Sequence, residues 1–130
     1  MHALVARYSV ALYNIKYWEL WNEPDIASSN FPGDNLFGCW GDPNDPYYGG
    51  GYYADMLREV YPQIKAADPQ GQVLVGGLLL DCDPRLGAGC EKVKNNNQPS
   101  KFLEGILRKN GVPFFDGVSF HAYDYYLGSG

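Results

Sequence analysis

The chain has 130 residues, 45% of them hydrophobic and 19% charged, with no low-complexity tract. That composition excludes a disordered tail or a collagen-like rod, and the length suits one domain or a piece of one. Fifteen acidic residues against ten basic ones give a net charge of −5 with no Lys/Arg cluster, which argues against nucleic acid and anionic membrane surfaces, and no run of ~18 apolar residues marks a membrane span.

The opening residues carry neither a basic n-region nor a compact apolar core, so no signal peptide is expected. Ala3–Leu12 is moderately apolar and reads as the end of a helix. Ile15 to Trp21, rich in aromatic and β-branched residues, reads as a strand that Asn22-Glu23-Pro24-Asp25 stops with turn chemistry. A long Gly/Pro/Asn/Asp/aromatic loop from Ile26 to Gly51 follows; a loop of that length inside a domain is usually functional or disordered, and its Trp and Phe content favours the first. Tyr53, Leu57, Val60, Ile64 and Ala67 recur at helical spacing and predict an amphipathic helix over Tyr52–Ala67, bent at Pro62 and closed by Asp68-Pro69. The uninterrupted apolar run Val73–Leu80 fits a parallel strand covered on both faces. After a loop over Asp81–Gln98, Phe102, Leu103, Ile106 and Leu107 predict a helix over Pro99–Asn110 with Gly111 as its stop. Gly117–Tyr123 reads as a third strand.

Strands alternating with helices predict βαβ units and a parallel α/β sheet. The connections leaving strand C-termini are long, and those returning from helix to strand are short (Asp68–Gln72, Gly111–Asp116). That asymmetry is how a (β/α)₈ TIM barrel gathers its active site on one face. A full barrel needs about 250 residues, so the expectation is a partial barrel of about three parallel strands, residues 1–130, truncated at both ends.

Period two places Ile15, Tyr17, Glu19, Trp21 and Glu23 on one face of the first strand, and Lys16, Trp18, Leu20 and Asn22 on the other, unless a bulge intervenes. Glu23 then stands at a strand C-terminus, where barrel enzymes keep catalytic groups; on spacing alone it reads equally as a turn residue. His121 shares its face with Ser119 and Tyr123, a polar row at a strand end that suits a barrel mouth, although a lone histidine reads as readily as a satisfied core residue. Trp40, Tyr47 and Tyr48 in the long loop could stack on pyranose rings or pack the loop.

The three cysteines, Cys39, Cys82 and Cys90, have no metal-ligand spacing; Cys82 and Cys90 could close a disulfide, or Cys39 could pair with either. The acidic loop Gly41–Pro46 lacks the Gly and Glu positions of an EF-hand. No cofactor or metal is expected. Localisation stays open, the acidity and a disulfide being compatible with secretion.

Tyr17-Trp18-Glu19-Leu20-Trp21-Asn22-Glu23-Pro24 resembles the fourth-strand signature of clan A glycoside hydrolases, the retaining (β/α)₈ enzymes that include cellulase-type and β-xylosidase-type families. Val75-Gly76-Gly77 is similar to their fifth strand and Val118-Ser119-Phe120-His121-Ala122-Tyr123 to their sixth. The resemblance implies hydrolysis of β-linked oligo- or polysaccharides by two carboxyl groups. It makes Glu23 the general acid/base, lets Asn22 contact the sugar 2-hydroxyl, and has His121 and Tyr123 line the sugar site; Trp40, as a ring that could stack on a pyranose, is a further expected substrate contact apart from the resemblance. Retaining chemistry needs a second carboxylate about 5–5.5 Å from the first, and one of the pair protonated near neutral pH. Glu19 lies about 13 Å along the strand from Glu23, outside that range, and reads as an interior carboxylate bonded to a base from another strand. Asp81, Asp83, Asp116 and Asp124 stand at strand ends without matching the nucleophile, which in the family is a Glu ending the seventh strand. The chain alone is therefore expected to show little or no turnover. Its expected partners are a carbohydrate, together with the missing barrel half or further copies of itself covering the strand edges. The alternative is a non-catalytic carbohydrate-binding or self-assembling module built on the same half barrel.

Overall fold

The computed structural model describes residues 1–26, 40–42, 44–79 and 99–121. Tyr123, the three cysteines, Asp81, Asp83 and Asp124 lie outside the described residues. The elements run α1 (His2–Tyr8), β1 (Tyr17–Asn22), α2 (Gly50–Ala67), β2 (Gln72–Leu79), α3 (Pro99–Arg108), a 3₁₀ turn (Val112–Phe114) and β3 (Gly117–His121). The strands form one sheet in the order β1-β2-β3, and both pairings are parallel. This is the α/β alternation expected from the hydrophobic periods.

The helices cover one face of the sheet. Leu20 of β1 and Val73, Val75 and Leu78 of β2 are buried against Tyr53, Leu57 and Ile64 of α2, Phe102 and Ile106 of α3, and Val5 of α1. Each such aliphatic or aromatic side chain, fully withdrawn from water, contributes about 1.5–3 kcal/mol before the cost of ordering it. Alternation along β1 turns Tyr17 and Glu19 to the opposite face, and Tyr17 there is 68% exposed. On β2 the apolar run is fully buried only toward the helices; Leu74 is half-buried, because among the described residues no helix lies over the second face. Among the described residues, full coverage on both sides is thus not reached.

Several boundaries differ from expectation for local reasons. α1 stops at Tyr8, where the chain doubles back through Asn14 at a left-handed φ of 52° and the Ile15 amide bonds the Tyr8 carbonyl at 3.0 Å. α2 starts at Gly50 and continues through Pro62 to Ala67. α3 is closed by Asn110, not Gly111, in the left-handed conformation (φ 53°), while the Gly111 amide bonds the Ile106 carbonyl at 2.9 Å. That 6→1 bond is the Schellman pattern, with Asn in the place glycine usually takes.

The N-terminal ends of the strands are fastened by two ion pairs. Lys16, just before β1, meets Asp68 at 2.6 Å, and Lys65 of α2 meets Asp116 at 2.8 Å. Asp116 also accepts the Val73 amide at 2.8 Å and the Tyr61 hydroxyl at 3.2 Å, and its own amide bonds the Val73 carbonyl at 2.7 Å. It precedes β3 and locks β3 to β2 at the end of the sheet opposite Glu23.

Candidate active site

At the C-terminal ends of the strands the sheet departs from regular geometry twice. At the end of β1, Trp21 has φ 78° and Glu23, just past the strand, φ 47°, a left-handed conformation that costs a residue with a side chain roughly 1–3 kcal/mol. Between β2 and β3, Val75 faces Val118 but Leu78 faces Phe120, so β2 spends one extra residue on a bulge that falls at Gly76-Gly77. The even alternation expected along β1 therefore ends at Trp21, whose ring meets Trp40 edge-on at 5.9 Å.

Tyr53 holds this irregular stretch from the helix side. Its hydroxyl donates to the Leu20 carbonyl and accepts the Gly76 amide at 3.1 Å, bridging two strands where they kink. Burial pushes its phenol well above the ordinary tyrosine range, only partly offset by the Gly76 amide, with the Glu19 charge acting in the same direction as burial. The hydroxyl thus keeps its proton and can donate and accept at once.

Glu23 is 8% exposed. Its amide bonds the Gly77 carbonyl at 3.1 Å, its carbonyl accepts the Ile26 amide at 3.1 Å, and its Oε1 lies 2.8 Å from His121 Nδ1. Pro24 and Asp25 behind it are fully buried, and Asp25 accepts the Leu79 amide at 3.0 Å. The Asn-Glu-Pro-Asp segment is therefore both a turn and a device that presents one carboxyl at the strand ends. Four residues earlier, Glu19 accepts the Ser119 hydroxyl, which also approaches the Val75 carbonyl at 3.2 Å. Its partner comes from another strand, as expected, but is a hydroxyl rather than a base.

Of the residues singled out from sequence, Glu23 and His121 are brought into contact, and Asn22 is exposed at the last position of β1, opposite Gly77. Trp40 is half-buried between Trp21 and Tyr53, its ring edge-on to Tyr53 at 5.6 Å and its indole nitrogen buried without a hydrogen-bond partner. The ring this cluster leaves open is Trp21, 51% exposed. Tyr48 is buried, and Tyr47 lies under the Arg108 guanidinium at 4.8 Å, so both serve the packing of the loop on the helices. A surface groove of about 290 Å³ between the start of α2 and the end of α3, lined by Tyr47, Tyr52, Arg108 and Lys109, includes neither Glu23 nor His121. Among the described residues no group of three or more His, Cys, Asp or Glu side chains converges as a metal site would require.

The sequence reading missed Tyr53 and Gly77. Two adjacent glycines inside an apolar strand were the available signal, since glycine in a strand interior marks a bulge or a close approach. Nothing in the local sequence separates Tyr53 from any other apolar-face tyrosine. No protein-family model matches the chain, and comparison with curated proteins and with solved structures returns no match.

Proposed function

We propose that this chain is part of a retaining (β/α)₈ glycoside hydrolase acting on β-linked sugars, with Glu23 as the general acid/base. The observation that carries the reading is the placement of Glu23. A largely buried carboxyl stands at the C-terminal end of a parallel strand, hydrogen bonded at 2.8 Å to an imidazole delivered by a different strand, beside the exposed Asn22 and Trp21. Glu23 would protonate the leaving glycosidic oxygen and then deprotonate the water that releases the sugar; Asn22 would bind the 2-hydroxyl, where a hydrogen bond strengthens as positive charge develops on the ring.

The second carboxylate of that mechanism is not offered by the described acidic residues nearest in sequence or sheet position. Glu19 is bonded to Ser119, Asp25 to the Leu79 amide, and Asp68 and Asp116 are paired with lysines at the far end of the sheet. Turnover then requires a carboxylate from outside these residues. The test is hydrolysis of a β-glycoside whose leaving group needs protonation, by the polypeptide of the uninterrupted reading frame containing this chain, with and without Glu23→Gln. The substitution is expected to lower kcat/KM by about 10²–10⁴-fold, the usual contribution of general acid–base catalysis. Equal rates in the two proteins would refute the assignment. The 130-residue chain alone is expected to show little or no turnover.

A further inference from the structure

We infer that Gly77 is a positioning residue for the Glu23–His121 pair: its bare Cα is the socket in which the His121 ring lies while Nδ1 meets the Glu23 carboxylate. The catalytic meaning of the socket rests on the proposed role of Glu23; the socket itself rests on geometry. A Cβ on Gly77 would collide with Nε2 and Cδ2 of the His121 ring and stand 3.0 Å from Cε1. The same ring places Nδ1 at 2.8 Å from Glu23 Oε1. The Gly77 carbonyl meanwhile accepts the Glu23 amide at 3.1 Å. One residue of β2 thus holds the main chain of Glu23 on one side and the imidazole of His121 on the other.

The backbone of Gly77 gives no separate reason for glycine, because among the described glycines only Gly49 has a positive φ. Its neighbour Gly76 is different in kind: a Cβ there would strike the Leu20 and Trp21 carbonyl oxygens, which belong to the main chain of β1. At Gly77 the obstacle is the end of a side chain that can rotate away about two torsions. An alanine at 77 is accommodated by swinging the His121 ring off Glu23, leaving the sheet in place.

The chain has two histidines, His2 and His121, so the imidazole nitrogens can be followed individually by NMR of ¹⁵N-His-labelled protein. In the parent chain, Glu23→Gln is expected to move the His121 Nδ1 resonance and leave His2 unchanged. In a Gly77→Ala background the same Glu23→Gln change is expected to leave His121 Nδ1 where it stands, a loss of coupling that a purely structural effect at 77 does not produce. A response of equal size in both backgrounds overturns the inference. If Gly77→Ala does not fold, Gly77→Ala/His121→Ala decides: recovery of the fold identifies the ring as the obstacle, and continued failure shows that Gly77 serves the backbone instead. Neither readout involves a sugar, so the expected loss of coupling in Gly77→Ala alongside unaltered β-glycoside hydrolysis in Glu23→Gln would count against the glycosidase reading alone.

Discussion

Glu23 on β1 and His121 on β3 are hydrogen bonded at 2.8 Å although β2 lies between their strands. Neighbouring strands are about 4.8 Å apart, so the two side chains span about 10 Å of sheet. Glu19, four residues before Glu23, and Ser119, two before His121, make a second bridge over β2, past the Val75 carbonyl. Both bridges stand on the face the described helices leave uncovered. The upper one passes over Gly77, where the absence of a Cβ makes the crossing possible.

The two glycines of β2 should respond unequally to alanine. Gly76→Ala forces a methyl into the carbonyl oxygens of β1, and separating two paired strands is expected to cost about 2 kcal/mol or more. Thermal denaturation should show a clear loss of Tm for Gly76→Ala and a small one for Gly77→Ala. Small losses in both would mean that the β1–β2 contact at Gly76 is looser than a clash with the carbonyl oxygens implies, and large losses in both that the His121 ring does not give way at Gly77.

Tyr53→Phe removes a hydroxyl that serves a buried carbonyl and a buried amide together. Leaving such groups without a partner costs about 1–3 kcal/mol, the range expected for this variant in urea denaturation. Because the lost bridge lies under Leu20 and Gly76, the variant should also weaken the coupling between Glu23 and His121 seen in imidazole NMR. An unchanged denaturation midpoint would contradict the bridging role.

The lysine–carboxylate pairs at the opposite end fix the pH dependence of stability. Lys16 holds the Asp68 carboxyl below its usual range. Burial opposes ionisation of Asp116, but Lys65, the Val73 amide and Tyr61 outweigh it and hold that carboxyl low as well. Burial likewise disfavours the Lys65 ammonium, and Asp116 with Tyr61 reverses the effect, lifting it above the ordinary lysine range. The carboxylate contributions are therefore complete above about pH 4 and are lost as pH falls below it; the Lys65 contribution is complete below about pH 10 and is lost as pH rises above it. Lys65→Met should shift acid unfolding, followed by circular dichroism, to higher pH. With water screening the partly exposed pair, its worth near neutrality is no more than about 1 kcal/mol. An unchanged acid midpoint would show that the Val73 amide and the Tyr61 hydroxyl hold Asp116 without Lys65.

Much of this architecture is legible in the chain. The apolar periods of Tyr53 to Ala67 and Phe102 to Leu107 and the run from Val73 are each long enough to fix an element's type, and their alternation gives the parallel sheet. The Asn-Glu-Pro turn after an aromatic strand pointed to Glu23, and the polar row on β3 to His121. What the sequence hid was the irregularity between them. A period-two reading assumes a regular pleat, but Trp21 and Glu23 adopt left-handed backbone and β2 bulges at Gly76-Gly77. These departures depend on contacts between strands far apart in sequence. The same limit misread the partner of Glu19, because which side chain of β3 reaches it is set by the register of two pairings, not by either strand alone.

The most direct test of Glu23 as acid/base uses Glu23→Ala in the polypeptide of the uninterrupted reading frame and an aryl β-glycoside whose phenolate leaves without protonation. A retaining enzyme lacking only its acid/base still forms the glycosyl intermediate and then stalls, because no base activates water. Azide, a nucleophile that needs no base, should restore turnover and yield the β-glycosyl azide. Failure of azide to raise the rate, or an α-configured product, would contradict the assignment of Glu23.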